Sequence, residues 1–385
     1  MTLIFGFKFK FSDLLTNHAK RLTYKANNLQ HYTVGEIQFA IHSGDSAEFG
    51  KSHLEQWIPV FIKSNIPFLI LVRNLPLYSY CTRQWPAIPC AYAKSVEDID
   101  KALKYLPNNG KVFYLSNTGN SSSVLRRNDF HHIFLGHGDS NKFASAHKFF
   151  RVYDELWVAS DAHIDRFKNA NFETRHILFR KIGRPMLKKL IYLNRMKDWK
   201  ERVPKIALYA PTWEGVEDIN NGSSVKISKD ILHTLLAYDF DIRIKFHPAT
   251  GKRIPSYLQI EKEIQKIAFK NKGKVFFYPK ESSLYQLMNN CTLCIGDNSA
   301  VITDFLSCNC PIAIFKTTEH VIVSKAEIAY EDFCYEWSTL QEFEIIVKEI
   351  SEGHDKKNKN RKAAEEYYLG LNETMSGSFY QMLKK

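Results

Sequence analysis

The amino-acid sequence predicts an α/β protein built from two doubly wound parallel sheets. Short apolar runs of strand length alternate with amphipathic stretches of helix length along most of the chain. Most of these runs end directly in Gly, Pro, Ser, Asp or His, as expected at the ligand-binding edge of a parallel sheet. Because 385 residues exceed the size that a single core usually reaches, we expect two domains that face each other across a cleft.

The first half of the chain contains the first set of alternating elements. The predicted strands are Ile37–Ile41, Pro67–Val72, Ala87–Ala93, Val112–Leu115, a run that ends at His137, Glu155–Ser160 and His176–Phe179. The predicted helices are Ser52–Lys63, Val96–Tyr105 and Asp161–Asn169. Residues 1–33 precede this set and carry a basic face, which fits either an amphipathic element on an anionic bilayer or an ordinary packed strand and helix.

The turn at Gly183–Pro185 interrupts the pattern, which resumes in the second half. The predicted strands there are Ile206–Ala210, Ile242–Phe246, Val275–Tyr278, Thr292–Gly296 and Pro311–Phe315. The predicted helices are Met186–Arg202, Lys229–Ala237, Tyr257–Phe269, Ser283–Met288, Val301–Ser307 and, after a solvated segment at Glu352–Lys362, a closing helix over Ala363–Leu383. We therefore expect an N-terminal domain at 1–185, a C-terminal domain at 186–357 and a closing helix within 358–385.

Composition and charge exclude several classes of protein. The formal net charge of +12 indicates anionic partners, such as phosphate-bearing substrates or an anionic membrane surface, and no nucleic-acid-binding motif is recognisable. No apolar run reaches the roughly 18 residues of a membrane span. The start of the sequence lacks the order of a signal peptide, so we expect a cytoplasmic protein. The seven cysteines lack the spacing of a zinc ribbon, and no cluster of acidic residues has the spacing of metal ligands, so we expect no metal. We expect no other cofactor either.

One candidate site lies where the apolar run Ile133–Leu135 leads into a histidine between two glycines. The glycines let a bulky substrate approach the backbone, and an imidazole that titrates near neutral pH can take a proton from a hydroxyl. A histidine that only caps a turn is the alternative. The candidate residues of this segment are Gly136, His137, Gly138, Asp139, Ser140 and Lys142.

Three loops of the second half follow predicted strands and carry polar side chains. The candidate residues are Thr212, Trp213 and Glu214 in the first loop, Lys245 and His247 in the second, and Asp297, Asn298, Ser299, Ala300 and Asp304 in the third. A cation and an imidazole at a strand end suit an anion, and the start of the helix after the third loop predicts a phosphate site. The two aspartates would repel phosphate, so we expect them to orient a hydroxyl or a basic partner. A packed tryptophan and a structural His-Pro turn are the alternatives for the first two loops.

Taken in order, four segments resemble the CDP-glycerol glycerophosphotransferase family, whose members build teichoic acids and some phosphate-containing capsules. The four segments are Gly136-His137-Gly138 with Lys142, Tyr209-Ala-Pro-Thr212-Trp213, Phe246-His247-Pro248, and Asp297-x-Ser299-x-Val301-x-x-Asp304. The resemblance covers roughly residues 130–320. Two departures are Asp139-Ser140-Asn141, where many members have Thr-Pro-Leu, and Ser299-Ala300, where many have two serines.

The resemblance implies a GT-B type fold of two Rossmann-like domains, with the acceptor side in 1–185 and the CDP-donor side in 186–357. It implies a phosphotransferase that moves glycerol phosphate from CDP-glycerol, or a related CDP-polyol, to a hydroxyl of a polymer or lipid-linked acceptor and releases CMP. His137 matches the histidine taken as general base, His247 the one taken to contact the donor phosphates, and Ser299 the loop that holds the pyrophosphate. The implied location is peripheral, on the inner face of the cell membrane.

Two other functions stay open on the sequence alone. One is a nucleotide-sugar glycosyltransferase of the same architecture in capsule or cell-surface polysaccharide synthesis, whose product carries no phosphorus in the new linkage. The other is a non-catalytic protein that binds an anionic polymer or lipid and keeps a degenerate site. Donor identity separates all three, because it fixes the class of reaction.

Overall fold

The computed structural model describes residues 24–136, 138, 146–215, 221–280, 282–317, 327–370 and 378–384. The chain divides into two compact units, here called unit 1 and unit 2. Unit 1 is assigned Met1–His137 with Val152–Leu156, and unit 2 is assigned Gly138–Arg151 with Trp157–Lys385. The domain boundaries expected from the sequence, at 185 and 357, stay predictions.

The first of two sheets has eight strands in the order β1-β4-β3-β2-β5-β6-β7-β8. The strands are β1 (Lys25–Asn27), β2 (Phe39–Ser43), β3 (Phe68–Val72), β4 (Cys90–Tyr92), β5 (Lys111–Tyr114), β6 (His131–Phe134), β7 (Glu155–Val158) and β8 (Leu178–Lys181). Strand β1 pairs antiparallel with β4, whereas β2 pairs parallel with both β3 and β5. The chain thus leaves β2 on one side and returns on its other side as β5, so that the order of connection reverses between these two strands.

The described helices of unit 1 cover the faces of this sheet. They are α1 (Ala47–Ile62), α2 (Leu75–Gln84), α3 (Val96–Leu103) and α4 (Ser122–Leu125). Buried phenylalanine rings pack between α1 and the sheet, with the centroid of Phe61 5.2 Å from that of Phe39 and 5.8 Å from that of Phe68. Strand β3 is buried at every position, as expected for a parallel strand with helices on both faces.

The second sheet lies in unit 2 and has six strands in the order β11-β10-β9-β12-β13-β14. The strands are β9 (Ile206–Ala210), β10 (Asp241–Ile244), β11 (Val275–Phe277), β12 (Leu293–Asp297), β13 (Ile312–Phe315) and β14 (Tyr335–Trp337). All neighbouring strands pair parallel. The order of connection reverses between β9 and β12, which therefore form the switch point of this sheet.

The described helices of unit 2 pack around this sheet and a single large apolar core. They are α5 (Asp161–Lys168), α6 (Lys188–Arg195), α7 (Ser228–Ala237), α8 (Ser256–Lys270), α9 (Leu284–Leu287), α10 (Val301–Phe305), α11 (Tyr330–Phe333), α12 (Leu340–Ser351), α13 (Asn358–Leu369) and α14 (Ser378–Lys384). The α/β class with two largely parallel sheets, predicted from the alternating pattern, is confirmed.

The predicted closing helix over Ala363–Leu383 is wrong. Helix α13 ends at Leu369 because Gly370 adopts a left-handed conformation with a φ of 62°, and α14 is a separate helix. Helix α13 also begins inside the segment predicted to be solvated. Within it, Arg361 is 4% exposed and its Nη1 donates to Oδ1 of Asp355 at 3.2 Å.

The predicted helix Met186–Arg202 is also shorter in the structure. The α-helical part is Lys188–Arg195, and Trp199–Glu201 forms a separate 3-10 turn. The Asp198 carboxylate accepts a hydrogen bond from the Lys200 backbone N–H at 2.9 Å and so caps the start of this separate turn.

Candidate functional site

The three polar loops predicted in the second half meet at one edge of the unit 2 sheet. Ala210 is the register partner of Gly296 across the β9–β12 pair, so the chain leaves both strands side by side. Tyr209 is the partner of Ile244 across the β9–β10 pair. Because the strands are parallel, their carboxyl ends and the loops after them share one edge, at the switch point where ligands bind in open α/β sheets.

Asp297 joins the β9 loop to the end of β12. Its side chain is fully buried, and Oδ2 accepts hydrogen bonds from the backbone N–H of Thr212 at 2.7 Å and of Ser224 at 3.2 Å. The sequence predicts that this carboxylate orients a hydroxyl or a basic partner, and that role stays a prediction. Its contacts with these two backbone amides fix the loop that carries Thr212.

Glu214 has the corresponding role between the β9 and β10 loops. Its carboxylate is fully buried and accepts from the backbone N–H groups of Gly251 at 3.1 Å, Arg253 at 2.8 Å and Ile254 at 3.0 Å. Burial acts to raise the pKa of Glu214, but these amide donors outweigh it and the pKa is lowered. The carboxylate therefore stays charged and holds the two loops together.

His247 and Trp213 pack against each other between the same two loops. Their rings are stacked, with centroids 6.1 Å apart and an interplanar angle of 16°. The Ala249 backbone N–H donates to Nδ1 of His247 at 3.1 Å. Since Nδ1 is the acceptor in this bond, the neutral ring carries its proton on Nε2, which is then a donor suited to an anionic oxygen.

The third loop presents polar atoms without partners. Oδ1 of Asn298 and Oγ of Ser299 are buried and make no hydrogen bond. Buried polar atoms are normally satisfied, so this loop is suited to a ligand. The helix that follows, α10, is expected to contribute little to phosphate binding through its N-terminus, because it has only five residues and lacks a side-chain N-cap bond.

Arg184 is a site residue that the sequence did not single out, because Gly183–Pro185 resembles a domain linker. Its Nη2 donates to Oδ1 of Asp304 at 2.5 Å and to the Tyr285 hydroxyl at 3.2 Å. The Tyr285 hydroxyl in turn donates to Oδ2 of Asp304 at 3.2 Å. Asp304 therefore orients a basic partner, one of the two roles expected for it. Burial acts to lower the pKa of Arg184, but the Asp304 carboxylate outweighs it, so the guanidinium stays charged.

Gly138 lies against this pair and the third loop. Its φ is +140°, and a Cβ built on it would lie 3.1 Å from Cβ of Ala300 and 3.7 Å from Nη2 of Arg184. The segment after β6 and the segment after β12, which lie far apart in the sequence, are therefore in direct contact within unit 2. Only glycine fits this close approach without strain.

The remaining residues of the first candidate segment divide into two groups. Gly136 belongs to unit 1, has a φ of +65°, and its carbonyl accepts a hydrogen bond from Nε1 of the buried Trp57 at 2.6 Å. The others lie outside the described residues, and their roles stay predictions: His137, Asp139, Ser140 and Lys142.

One cluster of described residues has the ligand types of a metal site. The Sγ atoms of Cys294, Cys308 and Cys310 all lie within 4.8 Å of one another, and those of Cys294 and Cys310 are 3.7 Å apart. Three thiols of this kind could hold a soft metal ion. They are fully buried in the apolar core of unit 2, where free cysteines also pack as small apolar residues. The sequence-based expectation of no metal stays a prediction.

Comparison with solved structures places the chain in a known fold class. The wall teichoic acid polymerase TagF, in a variant with a histidine replaced by asparagine, matches with a TM-score of 0.62 and 12% identity, covering 91% of this chain and 89% of that one. UDP-GlcNAc 2-epimerase from Methanocaldococcus jannaschii matches with a TM-score of 0.53 and 14% identity, covering 90% and 99%. At this identity the likeness shows the fold alone, which is an α/β fold of the GT-B type, as the resemblance implied.

A comparison with protein families identifies the chain further. The model of the CDP-glycerol:poly(glycerophosphate) glycerophosphotransferase family matches residues 104–377, and the chain belongs to this family. It is therefore an enzyme of the glycerophosphotransferase class, which confirms the sequence-based resemblance and the predicted reaction class. A search of curated proteins returned no match. Among the described helices, none is both long and apolar enough to cross a bilayer.

Proposed function

We propose that this enzyme transfers glycerol phosphate from CDP-glycerol to a hydroxyl of a teichoic-acid-like or capsular polymer, or of a lipid-linked acceptor, and releases CMP. The observation that carries the proposal is the convergence of the His247, Ser299 and Arg184 segments at the switch point of unit 2, in a chain of this family. Cationic and hydroxyl donors around one point suit a diphosphate. A TagF structure soaked with CDPG has the same fold.

The proposed chemistry is a phosphoryl-type transfer. The acceptor oxygen bonds to the phosphorus of the glycerol phosphate group, and the bond from that phosphorus to the oxygen retained by CMP breaks. Negative charge grows on the leaving and non-bridging oxygens, so the Nε2–H of His247, the ammonium of Lys245 and the hydroxyl of Ser299 stabilise it. We assign binding of the donor diphosphate to these three groups.

The acceptor hydroxyl must lose its proton as it attacks, and we assign that role to His137. Its neighbour Gly138 packs on Ala300, next to the loop assigned to the diphosphate. The resemblance of Gly136-His137-Gly138 to the family's segment supports the assignment. Gly136, Asp139, Ser140 and Lys142 are proposed to shape the same segment for substrate.

The remaining candidate residues for substrate binding are assigned roles from their hydrogen-bond partners in the structure. Asp297 and Glu214 hold backbone amides of the loops, and Asp304 holds Arg184. We propose that they act on substrate through those partners. Thr212, Trp213, Asn298 and Ala300 are proposed to line the donor site directly.

Replacing Gly138 by alanine is expected to lower kcat/KM for CDP-glycerol about tenfold or more, because a misplacement on the order of 1 Å can cost a hundredfold. The added methyl would lie 3.1 Å from Cβ of Ala300. The rate of CMP release at varied CDP-glycerol concentration measures the effect. Gly273→Ala is the matched control, since Gly273 has a φ of +90° but nothing within 4 Å of its Cβ position. Equal losses in both variants would attribute the effect to backbone strain and contradict the contact.

The membrane-related part of the proposal is peripheral association with an anionic membrane on the cytoplasmic side. The net charge of +12 supports it. Sedimentation with vesicles of anionic lipid, compared with vesicles of neutral lipid, tests it directly.

A thermal-shift screen of nucleotide conjugates tests the proposed donor. A specific ligand at a hundred times its Kd stabilises the folded state by about 2.7 kcal/mol, so CDP-glycerol and CMP are expected to raise the Tm clearly. Stabilisation by UDP-sugars alone would favour the glycosyltransferase alternative. No stabilisation by any nucleotide, together with binding to anionic polymer, would favour the non-catalytic alternative.

A further inference from the structure

Unit 1 has a switch point of its own. Strand β2 is followed by β3 on one side, and β5 pairs with its other side. The loops that leave the carboxyl ends of β2 and β5 therefore flank the place where open α/β sheets bind ligands. The donor groups assigned above all lie in unit 2, and no residue of the loops after β2 and β5 has been assigned a role.

A buried carboxylate lies at this edge and accepts hydrogen bonds from three side chains, which come from β2, α1 and the loop after β5. Oδ2 of Asp45, which follows β2, accepts hydrogen bonds from Oγ of Ser116 at 2.5 Å, Nδ1 of His53 at 3.1 Å and Oγ of Ser43 at 3.2 Å. Asp45 and His53 are each 9% exposed and Ser116 is 6% exposed. Several donors that meet at one carboxylate oxygen fix that carboxylate in position.

The two loops are also fixed to each other. A Cβ on Gly44 would lie 2.2 Å from Oγ1 of Thr118, and Nδ2 of Asn120 donates to the Gly44 carbonyl at 2.9 Å. The loops after β2 and β5 are therefore in direct contact and joined by a side-chain hydrogen bond, which favours a preorganised site.

Asp45 sets the chemistry of His53. A carboxylate only accepts, so Nδ1 of His53 must donate, and the lone pair of the neutral ring lies on Nε2. His53 lies one turn before Trp57 on α1, and the two share a face of the helix. Trp57 holds the carbonyl of Gly136, the residue before His137 in the sequence. The Asp45–His53 pair is thus on the helix face that contacts the segment leading to the assigned base.

A further polar atom at this edge has no partner. Nδ2 of Asn117, next to Ser116, is buried and makes no hydrogen bond. The segment 116–121, between β5 and α4, consists entirely of Ser, Asn, Thr and Gly. Hydroxyl and amide groups beside a negative Asp45 suit neutral hydroxyls of a polyol, whereas a phosphate there would be repelled.

We infer that Asp45, His53 and Ser116 form a binding site for the hydroxyl-bearing glycerol end of the acceptor. The inference rests on the proposed function, which supplies the need for a polyol acceptor. His53 accepts a hydrogen bond from an acceptor hydroxyl through Nε2, and Asp45 is a positioning residue that holds the imidazole in the required tautomer. Neither takes the proton in the transfer step.

Steady-state kinetics with a synthetic glycerol phosphate trimer as acceptor tests this site. His53→Ala, Asp45→Asn and Ser116→Ala are each expected to raise the KM for the trimer about tenfold, as for loss of one hydrogen bond that involves a charged or well-placed group. The KM for CDP-glycerol and the slow CMP release without acceptor should change less than twofold. His131→Ala is the matched control, because His131 is a half-buried histidine at the amino end of β6, near the carboxylates of Asp154 and Glu155.

The outcomes separate the site from the proposed function. An unchanged trimer KM in all three variants, or an equal rise in the KM for CDP-glycerol, would overturn the site. A wild-type protein that releases CMP from CDP-glycerol but does not use the trimer would overturn the polyol assignment. Absence of CMP release under every condition would instead contradict the proposed function. Unchanged thermal unfolding of the Ser116→Ala variant shows that its kinetic effect is not due to unfolding.

Discussion

Replacing Arg184 by methionine is expected to lower the free energy of unfolding by about 3 to 5 kcal/mol, because it leaves a buried carboxylate without its counter-charge. The side chains of Arg184 and Asp304 are 8% and 7% exposed, and their atoms are 2.5 Å apart. Methionine fills much of the same volume, so the loss is electrostatic more than steric. Chemical denaturation at pH 7 measures the change.

The loss of unfolding free energy in Arg184→Met is expected to depend on pH. Burial raises the pKa of Asp304 above its ordinary value of 3.8, and Arg184 opposes that effect in the wild type. Without Arg184 the folded variant binds a proton that the unfolded chain does not bind at the same pH. Because the folded pKa is the higher one, stability increases as the pH falls through it and decreases as the pH rises. Denaturation at pH 5 and pH 8 should therefore show the smaller deficit at pH 5.

Two further variants isolate the cause. Lys274→Met removes an exposed partner of Asp239 at 2.7 Å and is expected to cost less than about 1 kcal/mol. The double variant Arg184→Met, Asp304→Leu removes both charges and should recover most of the stability, since a well-packed apolar pair can replace a buried ion pair. A double variant that is stable yet does not bind CDP-glycerol would show that the Arg184–Asp304 pair also serves the donor. If Arg184→Met were as stable as Lys274→Met, the Arg184–Asp304 pair would not be important for stability.

The fold was predictable because its signals are local. Five of the six strands of the unit 2 sheet are short apolar runs with polar exits, and their positions agree with the prediction within about two residues at each end. Strand β14 (Tyr335–Trp337) was not predicted. Helix α2 was missed although it begins with Asn74 as N-cap and a proline in its first turn. Helix α12 was missed although Thr339 and Glu342 form a capping box. Both start signals are present in the sequence and could have been used.

The site was predictable only in part, because some of its contacts join distant segments. The loops after β9, β10 and β12 were found because polar residues follow apolar runs. Arg184 was not, since it lies 120 residues from Asp304 and its own surroundings resemble a linker. The bracing roles of Asp297 and Glu214 could not be predicted either. A carboxylate that binds substrate and one that binds backbone amides look the same in a sequence.

Replacing His137 by alanine is expected to reduce CMP release from CDP-glycerol about a hundredfold or more, the usual contribution of a general base. Binding of CDP-glycerol in the thermal-shift assay should change little, because the diphosphate contacts are assigned to His247, Lys245 and Ser299. The expected signature is therefore a lower kcat with an almost unchanged affinity for the donor.

The pH profile separates proton transfer from a structural effect. A histidine base must be deprotonated, so the wild-type rate should rise with pH over the range in which an ordinary imidazole loses its proton and then level off. The residual rate of His137→Ala should lose that dependence. His131→Ala, at the opposite end of β6, is the control and should keep both the rate and the profile. Turnover of His137→Ala at the wild-type level would show that this histidine takes no part in the mechanism. Its position between two glycines would then have a structural reason.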